Sequence, residues 1–312
     1  MVQAGTEPRR ERIATFLASA TEIVCALGQA GRLVGVSHEC DFPSSIVGLP
    51  RLTRARVSAP GSRSSRELHD EVEAMVREVV ALYEVDVEAL RRAAPDVLIT
   101  QDLCAVCAVS LDDVRKAASA VLGKDVQIVS LAPKRLDDVW GDVVRVGEML
   151  GLGMTAQAIA NGFRGRIGAT SRRAEVAAAG GRPKVLGIEW IDPVMVGGLW
   201  MPDLIQLAGG DPLVGQAGEP GVVLEEDAVV APDVVIVKPC GFDLPTTLAE
   251  LATSDIRKRW PNARWYAADG NAYFNRSGPR LVESLEILAA CVHPEAFADL
   301  AELHRGHFVA LV

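Results

Sequence analysis

The stretch that decides the fold runs from residue 136 to 179 and reads LDDVWGDVVRVGEMLGLGMTAQAIANGFRGRIGATSRRAEVAAA. It contains no strand candidate: one helical pattern covers Leu136–Leu150, a Gly-Leu-Gly break follows, and a longer helical pattern runs from Thr155 to Ala179. Gly180-Gly181-Arg182-Pro183 then ends the helix. A flexible linker would instead be rich in Gly and Ser or in Pro. The sequence therefore predicts linking helices over 136–180, with a stiff backbone helix at about 154–179.

Short Val- and Ile-rich runs alternate with helical patterns on both sides of this stretch, which is typical of parallel α/β sheets. The predicted strands are 13–17, 33–37, 97–100 and 126–130 before it, and 184–190, 193–196, 234–238 and 264–268 after it. The predicted helices outside it are 66–82, 202–208, 225–230 and 279–291. In both halves an Ala-Pro-Asp-Val sequence marks a helix end that leads into a buried strand. We predict two Rossmann-like α/β lobes with central parallel sheets, at 10–135 and 183–312.

Composition narrows the class of function. Hydrophobic residues make up 49% of the 312 residues and charged residues 23%, which is typical of a soluble globular protein. The formal net charge of −9 argues against nucleic acid as a partner, because no basic field is present to neutralise phosphates. No apolar run reaches the roughly 20 residues that a transmembrane helix needs.

The N-terminal residues resemble a signal peptide in part. Arg9-Arg10 precede an apolar stretch from Ile13 to Ala20, but Glu7 and Glu11 dilute the positive end. The same stretch reads as a first strand that runs into a helix, and cleavage would remove that strand. We therefore expect no export signal and a cytoplasmic location. A periplasmic or other extracytoplasmic location after removal of a signal is the alternative.

Several local sequences together carry a resemblance to a known family. They are SATEI at 19–23, VGVSHECDFP at 34–43, APDVLIT at 94–100, GIEWIDP at 187–193 and NAYFNRSGPR at 271–280. In this order and spacing the sequence resembles the helical-backbone metal receptors, or class III periplasmic binding proteins, and within them the vitamin B12-binding branch. The resemblance implies two lobes joined by one long rigid helix, with the ligand in a cleft between the lobes.

The resemblance also implies that loops following the strands contact the ligand, which would be cobalamin or another corrinoid. The candidate ligand-binding residues are Ser19, Glu22, His38, Glu39, Asp41, Phe42, Trp190, Trp200, Phe242, Tyr273, Phe274, Asn275 and Arg276. Aromatic faces suit a flat macrocycle, and polar side chains suit its amide fringe. For Ser19 and Glu22, a capping box at a helix start is the favoured alternative. The implied partner is an ABC importer permease, for which Glu226 is a candidate docking residue.

Four cysteines follow predicted strands and would reach the strand carboxyl ends, where ligands bind in open α/β folds. They are Cys40, Cys104, Cys107 and Cys240. Together with His38 they are candidate ligands for zinc or an iron–sulfur cluster, because a Cys-x-x-Cys pair spaces two thiolates for one soft metal ion. The Cys-x-x-Cys pair is equally well read as two small apolar residues in a turn, or as a disulfide. For His38, a hydrogen-bonded loop residue and an axial ligand to a corrin cobalt both stay open.

The sequence lacks the short motifs of several large enzyme classes. It has no nucleophile elbow, no His-Glu-x-x-His zinc motif and no Walker loop. We therefore expect a binding protein for a small-molecule chelate and not an enzyme. The alternative is a thiolate-metal protein, or a redox or chelate-handling enzyme, that uses the cysteines named above.

Overall fold

The computed structural model describes residues 11–57, 59, 61–77, 83–101, 111–122, 126–225 and 228–311. These residues divide into two compact units. Unit 1 takes those within Met1–Arg56 and Val79–Ala132, and unit 2 takes those within Val57–Glu78 and Pro133–Val312. Each unit has its own sheet and its own buried core.

The described strands are β1 (Ile13–Thr15), β2 (Leu33–Gly35), β3 (Thr53–Ala55), β4 (Tyr83–Val85), β5 (Val97–Gln101), β6 (Gln127–Leu131), β7 (Lys184–Trp190), β8 (Met195–Val196), β9 (Asp211–Pro212), β10 (Val222–Val223), β11 (Val234–Val237), β12 (Arg264–Ala268) and β13 (Phe308–Leu311). The described α-helices are α1 (Ala18–Ala26), α2 (Ser65–Arg77), α3 (Val87–Ala93), α4 (Leu111–Leu122), α5 (Leu136–Met149), α6 (Gly153–Ala177), α7 (Met201–Leu207), α8 (Leu244–Thr253), α9 (Leu281–Val292) and α10 (Ala298–Leu303).

The sheet of unit 1 has four parallel strands in the order β2-β1-β5-β6. All five residues of β5 are buried, as expected for a parallel strand with both faces covered. Phe16, Leu90 and Leu98 lie in the core beside this sheet. β3 and β4 form a separate antiparallel pair, which the sequence analysis did not predict.

The sheet of unit 2 runs β10-β8-β7-β11-β12-β13, and β9 also pairs with β7. Its centre is parallel: β11 lies between β7 and β12, and its four residues are all buried. Antiparallel strands close both edges, with β8 and β10 on one side and β13 on the other. The parallel centre places the carboxyl ends of β7 and β11 together at one edge of the sheet.

α6 is the long helix that the linking stretch predicts, with 25 residues. Its buried residues recur at helical spacing along one face: Ala156, Ala160, Ile167, Thr170 and Ala174. A 3-10 turn follows at Ala178–Gly180, and Gly181, with a φ of 130°, ends the helical run. None of the described helices is long and apolar enough to cross a membrane.

Several boundaries differ from the prediction. α5 and α6 belong to unit 2 and do not form a separate linking region. The described residues from 57 to 77 also belong to unit 2, although the predicted first lobe was 10–135. α2 is described as far as Arg77, and residues 78–82 of the predicted helix lie outside the described residues. The predicted helix at 225–230 is wrong for its described residues 225 and 228–230, which are not helical. Periodicity alone cannot distinguish such a short apolar run from an irregular segment.

Candidate functional site

The loop after β2 presents His38 in a fixed orientation. The His38 main-chain N–H donates to Thr53 Oγ1 at 3.0 Å, and the ring Nδ1 lies 2.7 Å from the same oxygen. Thr53 is buried at the start of β3 and donates its own hydroxyl proton to Ser37 Oγ at 3.1 Å. The pairing of β3 with β4 brings Tyr83 against the other side of His38, with ring centroids 5.2 Å apart.

This hydrogen-bond pattern sets the tautomer of His38. Because the proton of Thr53 Oγ1 is engaged with Ser37, that oxygen can only accept from the imidazole, so Nδ1 carries the ring proton. Nε2 is then left with its lone pair, and no hydrogen-bond partner faces it among the described residues. A neutral imidazole with a fixed Nδ1–H and a vacant Nε2 is the usual arrangement of a metal-ligating histidine.

The electrostatic surroundings keep His38 neutral. Burial lowers its pKa below the ordinary value of 6.5, and the nearby Arg51 guanidinium lowers it further. Arg51 is held in place because it donates to the carbonyl oxygens of Ser37 and Cys40, at 3.2 and 2.6 Å. The lone pair of Nε2 therefore stays available to lower pH than in a free histidine.

The same loop exposes acidic and aromatic side chains. Glu39 accepts a hydrogen bond from the Tyr83 hydroxyl at 3.0 Å, and both Glu39 and Asp41 are exposed. Phe42, in the same loop, has 45% of its surface exposed. The loop thus combines one histidine nitrogen, two carboxylates and one aromatic face.

Ser19 and Glu22 do not form the predicted capping box. α1 begins at Ala18, and Leu17 occupies the N-cap position with extended dihedral angles and no side-chain cap, so Ser19 already lies inside the helix. Both side chains are buried, each with 3% of its surface exposed. The neighbouring Thr21 Oγ1 contacts Thr15 Oγ1 at 2.6 Å and Cys40 Sγ at 3.0 Å.

In unit 2, Trp190 ends β7 with its indole ring held on two sides. Its Nε1–H is shared between the carbonyl oxygens of Ser65 and Asp192, at 3.1 and 3.2 Å. The ring meets Phe242 edge-on, with centroids 5.4 Å apart. Phe242 is buried while Trp190 is half-buried, so the part of this aromatic pair that reaches solvent belongs to Trp190.

The predicted aromatic residues of unit 2, apart from Trp190, lie in its interior. Trp200, Phe242, Tyr273 and Phe274 each expose no more than 8% of their surface. Trp200 Nε1 donates to the Phe274 carbonyl oxygen at 2.7 Å, and Phe274 has a φ of 66°, in the left-handed region that a bulky residue rarely adopts. These side chains shape the loop that follows β12 and present little ring surface of their own.

A buried lysine that the sequence analysis missed anchors this loop. Lys238 follows β11 and is fully buried, with Nζ 3.0 Å from Asn275 Oδ1 and 3.5 Å from Glu189 Oε2. Asn275 donates in return to the carbonyl oxygens of Lys238 and Gly270, both at 2.9 Å. Burial lowers the pKa of Lys238 and the Glu189 carboxylate opposes that shift. A lysine that follows a Val-Val-Ile-Val strand was the sequence signal for it.

Two of the predicted polar residues of this loop, Asn275 and Arg276, are half-exposed. Asn275 uses its amide on the backbone, as described above, so it acts chiefly as an anchor. The Arg276 guanidinium donates to Asn271 Oδ1 at 3.0 Å. Arg276 and Arg280 are both cations of this loop with side chains partly open to solvent.

The predicted thiolate site is only partly within the described residues. Cys104, Cys107 and Glu226 lie outside them. Cys40 is buried against Thr21 in unit 1, whereas Cys240 is exposed in unit 2. Within the described parts of the chain, no cluster of three or more His, Cys, Asp or Glu side chains is arranged to hold a metal ion.

A cavity of about 840 Å³ lies elsewhere in unit 2, among α5, α6 and α7. None of the predicted site residues lines it. Its arginines already pair with its acids, as Arg135 does with Asp203 and Arg164 with Asp137. Five carboxylates and three arginines line the cavity, so its lining carries a net negative charge.

Comparison with solved structures identifies the fold. A periplasmic heme binding protein from Pseudomonas aeruginosa superposes with a TM-score of 0.68 and 20% identity, covering 91% of this chain and 93% of that one. The periplasmic vitamin B12 binding protein of Vibrio cholerae gives 0.63 and 17%, covering 92% and 97%. An ABC transporter substrate-binding protein from Listeria monocytogenes gives 0.64 and 16%, covering 92% and 100%. No protein-family model and no curated protein matches the sequence.

These likenesses extend over more than nine tenths of the chain, so they include both sheets and the long helix between them in sequence. The predicted two-lobed α/β architecture is confirmed. The chain has the fold of the helical-backbone, class III periplasmic binding proteins.

Proposed function

We propose that this chain is a binding protein for a metal chelate and serves an ABC-type importer. The observation that carries the proposal is the fold, which it shares over more than 90% of its length with proteins described as binders of heme and of vitamin B12. A third protein with this fold is described as an ABC transporter substrate-binding protein. All three are binding proteins and not enzymes, so we propose no catalysis.

The proposed location is outside the cytoplasm. Both chelate-binding proteins above are described as periplasmic, and this favours the alternative that the sequence analysis placed second. The expectation of a cytoplasmic location has no support from these comparisons.

Within this class we propose a corrinoid as the ligand. The unit 1 loop that carries His38 also exposes two carboxylates, Glu39 and Asp41. Carboxylates accept hydrogen bonds from the neutral amides at the edge of a corrin, whereas they repel the propionates of heme. Phe42 and Trp190 would supply aromatic contact in their respective units, and Arg276 would donate to amide carbonyl oxygens.

We further propose that His38 Nε2 binds the metal of the chelate at an exchangeable axial position. Three features support this role: the proton fixed on Nδ1, the vacant Nε2 and the lowered pKa. The buried Thr53 acts as the second partner that orients a metal-bound imidazole.

The test is an absorbance-monitored titration with aquacobalamin, cyanocobalamin and hemin, each followed by gel filtration. We expect one equivalent of each cobalamin to comigrate with the protein, with a spectral shift for aquacobalamin because its axial water exchanges. His38→Ala should remove that shift, while the control His69→Ala, on α2, should keep it. Comigration of hemin alone would overturn the corrinoid proposal. If no chelate binds and the anaerobically purified protein shows thiolate-to-metal absorption bands, the binding proposal itself fails in favour of the thiolate-metal alternative.

A further inference from the structure

The N-terminus of α2 is held by a carboxylate from α8. Ser65 is fully buried, and both its main-chain N–H and its hydroxyl donate to Glu250 Oε1, at 2.8 and 2.5 Å. An acidic side chain at this position also opposes the positive end of the helix dipole. The result is a charge-assisted anchor for the first turn of α2.

The first turn of α2, which Glu250 anchors, also holds the loop that follows β7. The Ser65 carbonyl oxygen accepts the Trp190 Nε1–H, and the next residue, Arg66, forms an ion pair with Asp192 at 2.5 Å. Two consecutive residues of α2 therefore bind both ends of the segment from Trp190 to Asp192. All of these contacts lie within unit 2.

The indole ring of Trp190 depends on this arrangement for its orientation. Its edge-on contact with Phe242 restrains one side of the ring, and the Ser65 carbonyl oxygen fixes the direction of its N–H. Loss of the anchor would leave the N–H with Asp192 O alone, an acceptor only two residues away on the same loop. Glu250 itself does not contact Trp190 in the described hydrogen-bond network, so its influence passes through Ser65.

We propose that Glu250 and Ser65 are positioning residues that fix the Trp190 ring in the geometry that binds a flat ligand. The part that concerns the ligand rests on the proposed function, whereas the fixing of the ring does not. Since the face of an aromatic side chain must lie parallel to a macrocycle to contact it fully, a ring that rotates loses affinity for every planar chelate.

The experiment uses Glu250→Ala, Glu250→Gln, Trp190→Phe and the double variant Glu250→Ala/Trp190→Phe in the full chain. Subtracting the emission of each Trp190→Phe protein from that of its parent isolates the fluorescence of Trp190 without ligand. Dissociation constants for cyanocobalamin are measured on the same proteins. Glu295→Ala is the control, because this exposed glutamate has no described hydrogen bond or ion pair.

We expect Glu250→Ala to shift the Trp190 emission to longer wavelength and to raise the Kd for cyanocobalamin about tenfold, or 1.4 kcal/mol. Glu250→Gln should restore both values to within about twofold of the original, because its amide oxygen still accepts from Ser65. In the Trp190→Phe background, Glu250→Ala should have no further effect on Kd, since coupled residues are not additive. If Glu250→Ala does not fold, Ser65→Ala provides the same test with a smaller shift.

The outcomes separate the two proposals. Unchanged Trp190 emission in Glu250→Ala, or an additive effect of the two substitutions on Kd, would overturn the positioning role. Absence of cyanocobalamin binding in the original protein, together with the expected emission shift, would overturn the proposed corrinoid ligand and leave the positioning of the ring supported.

Discussion

Replacing Thr53 by Val tests the arrangement around His38 with little change in shape. Valine keeps the two branches at Cβ and fits β3, but it removes the hydroxyl that meets His38 N, His38 Nδ1 and Ser37 Oγ. Each such hydrogen bond contributes about 1 kcal/mol net, and the buried groups that lose their partner add a desolvation cost. The methyl group that replaces the hydroxyl is buried, and the free energy gained from this burial offsets part of the loss. We expect the free energy of unfolding to fall by about 2–3 kcal/mol.

The assay is urea unfolding followed by circular dichroism, with Thr53→Ser as the matched control. Serine keeps the hydroxyl and loses one methyl group, which costs about 1 kcal/mol. The two variants should separate further in the aquacobalamin spectrum, because only Thr53→Ser keeps the proton fixed on Nδ1 of His38. Equal stability of Thr53→Val and the original protein, with the same spectral shift, would refute the tautomer argument.

Three other predictions follow from described contacts. In thermal or urea unfolding, Glu189→Ala should destabilise the protein by about 2–3 kcal/mol, because it leaves the fully buried ammonium of Lys238 without its counter-charge. Lys238→Met should destabilise it by less, because the Glu189 carboxylate that remains is reached by water. The reverse order of the two effects would contradict this reasoning. Gly270→Ala should lower the free energy of unfolding by about 1–3 kcal/mol, since the added Cβ would lie against main-chain carbonyl oxygens. At Gly31 an added Cβ meets open space, so Gly31→Ala should change that free energy by no more than about 0.5 kcal/mol. Equal effects of the two substitutions would show that the loop around Gly270 adjusts freely. Because the pKa of His38 is lower in the folded protein, the unfolded chain takes up the proton first as the pH falls, and the contribution of neutral His38 to stability is fully present above about pH 6.5 and is lost as the pH falls through the folded pKa. In unfolding measured as a function of pH, His38→Gln should flatten this dependence. An unchanged profile would exclude the histidine as its source.

The buried parallel strands were the most predictable part of the fold. β7 and β12 have the predicted bounds, because each has a short apolar centre with Pro or Gly residues near both ends, a pattern typical of buried strands. β3 and β4 were missed, since three-residue strands with exposed arginine and glutamate give no periodic pattern. The place of α2 in unit 2 was also missed, because it depends on partners more than one hundred residues away.

The candidate site divides in the same way. The sequence placed His38 in a loop that follows a strand and Trp190 at the end of a strand, and the structure puts both there. Thr53 and Glu250 carry no local signal of their role, because their importance lies in hydrogen bonds to residues distant in sequence. The burial of Phe274 and its neighbours could not be predicted either, since the sequence does not distinguish an aromatic loop residue that faces a ligand from one that packs in the core.

The anchor of α2 also has a consequence for synthesis. Ser65 and Glu250 lie 185 residues apart, and ribosomes add about 5–20 residues per second. α2 therefore leaves the ribosome roughly 10–40 s before the carboxylate that receives it. During that interval the N-terminal half of the nascent chain holds an amphipathic helix with no docking site, so a chaperone that shields α2 would improve the yield of folded protein.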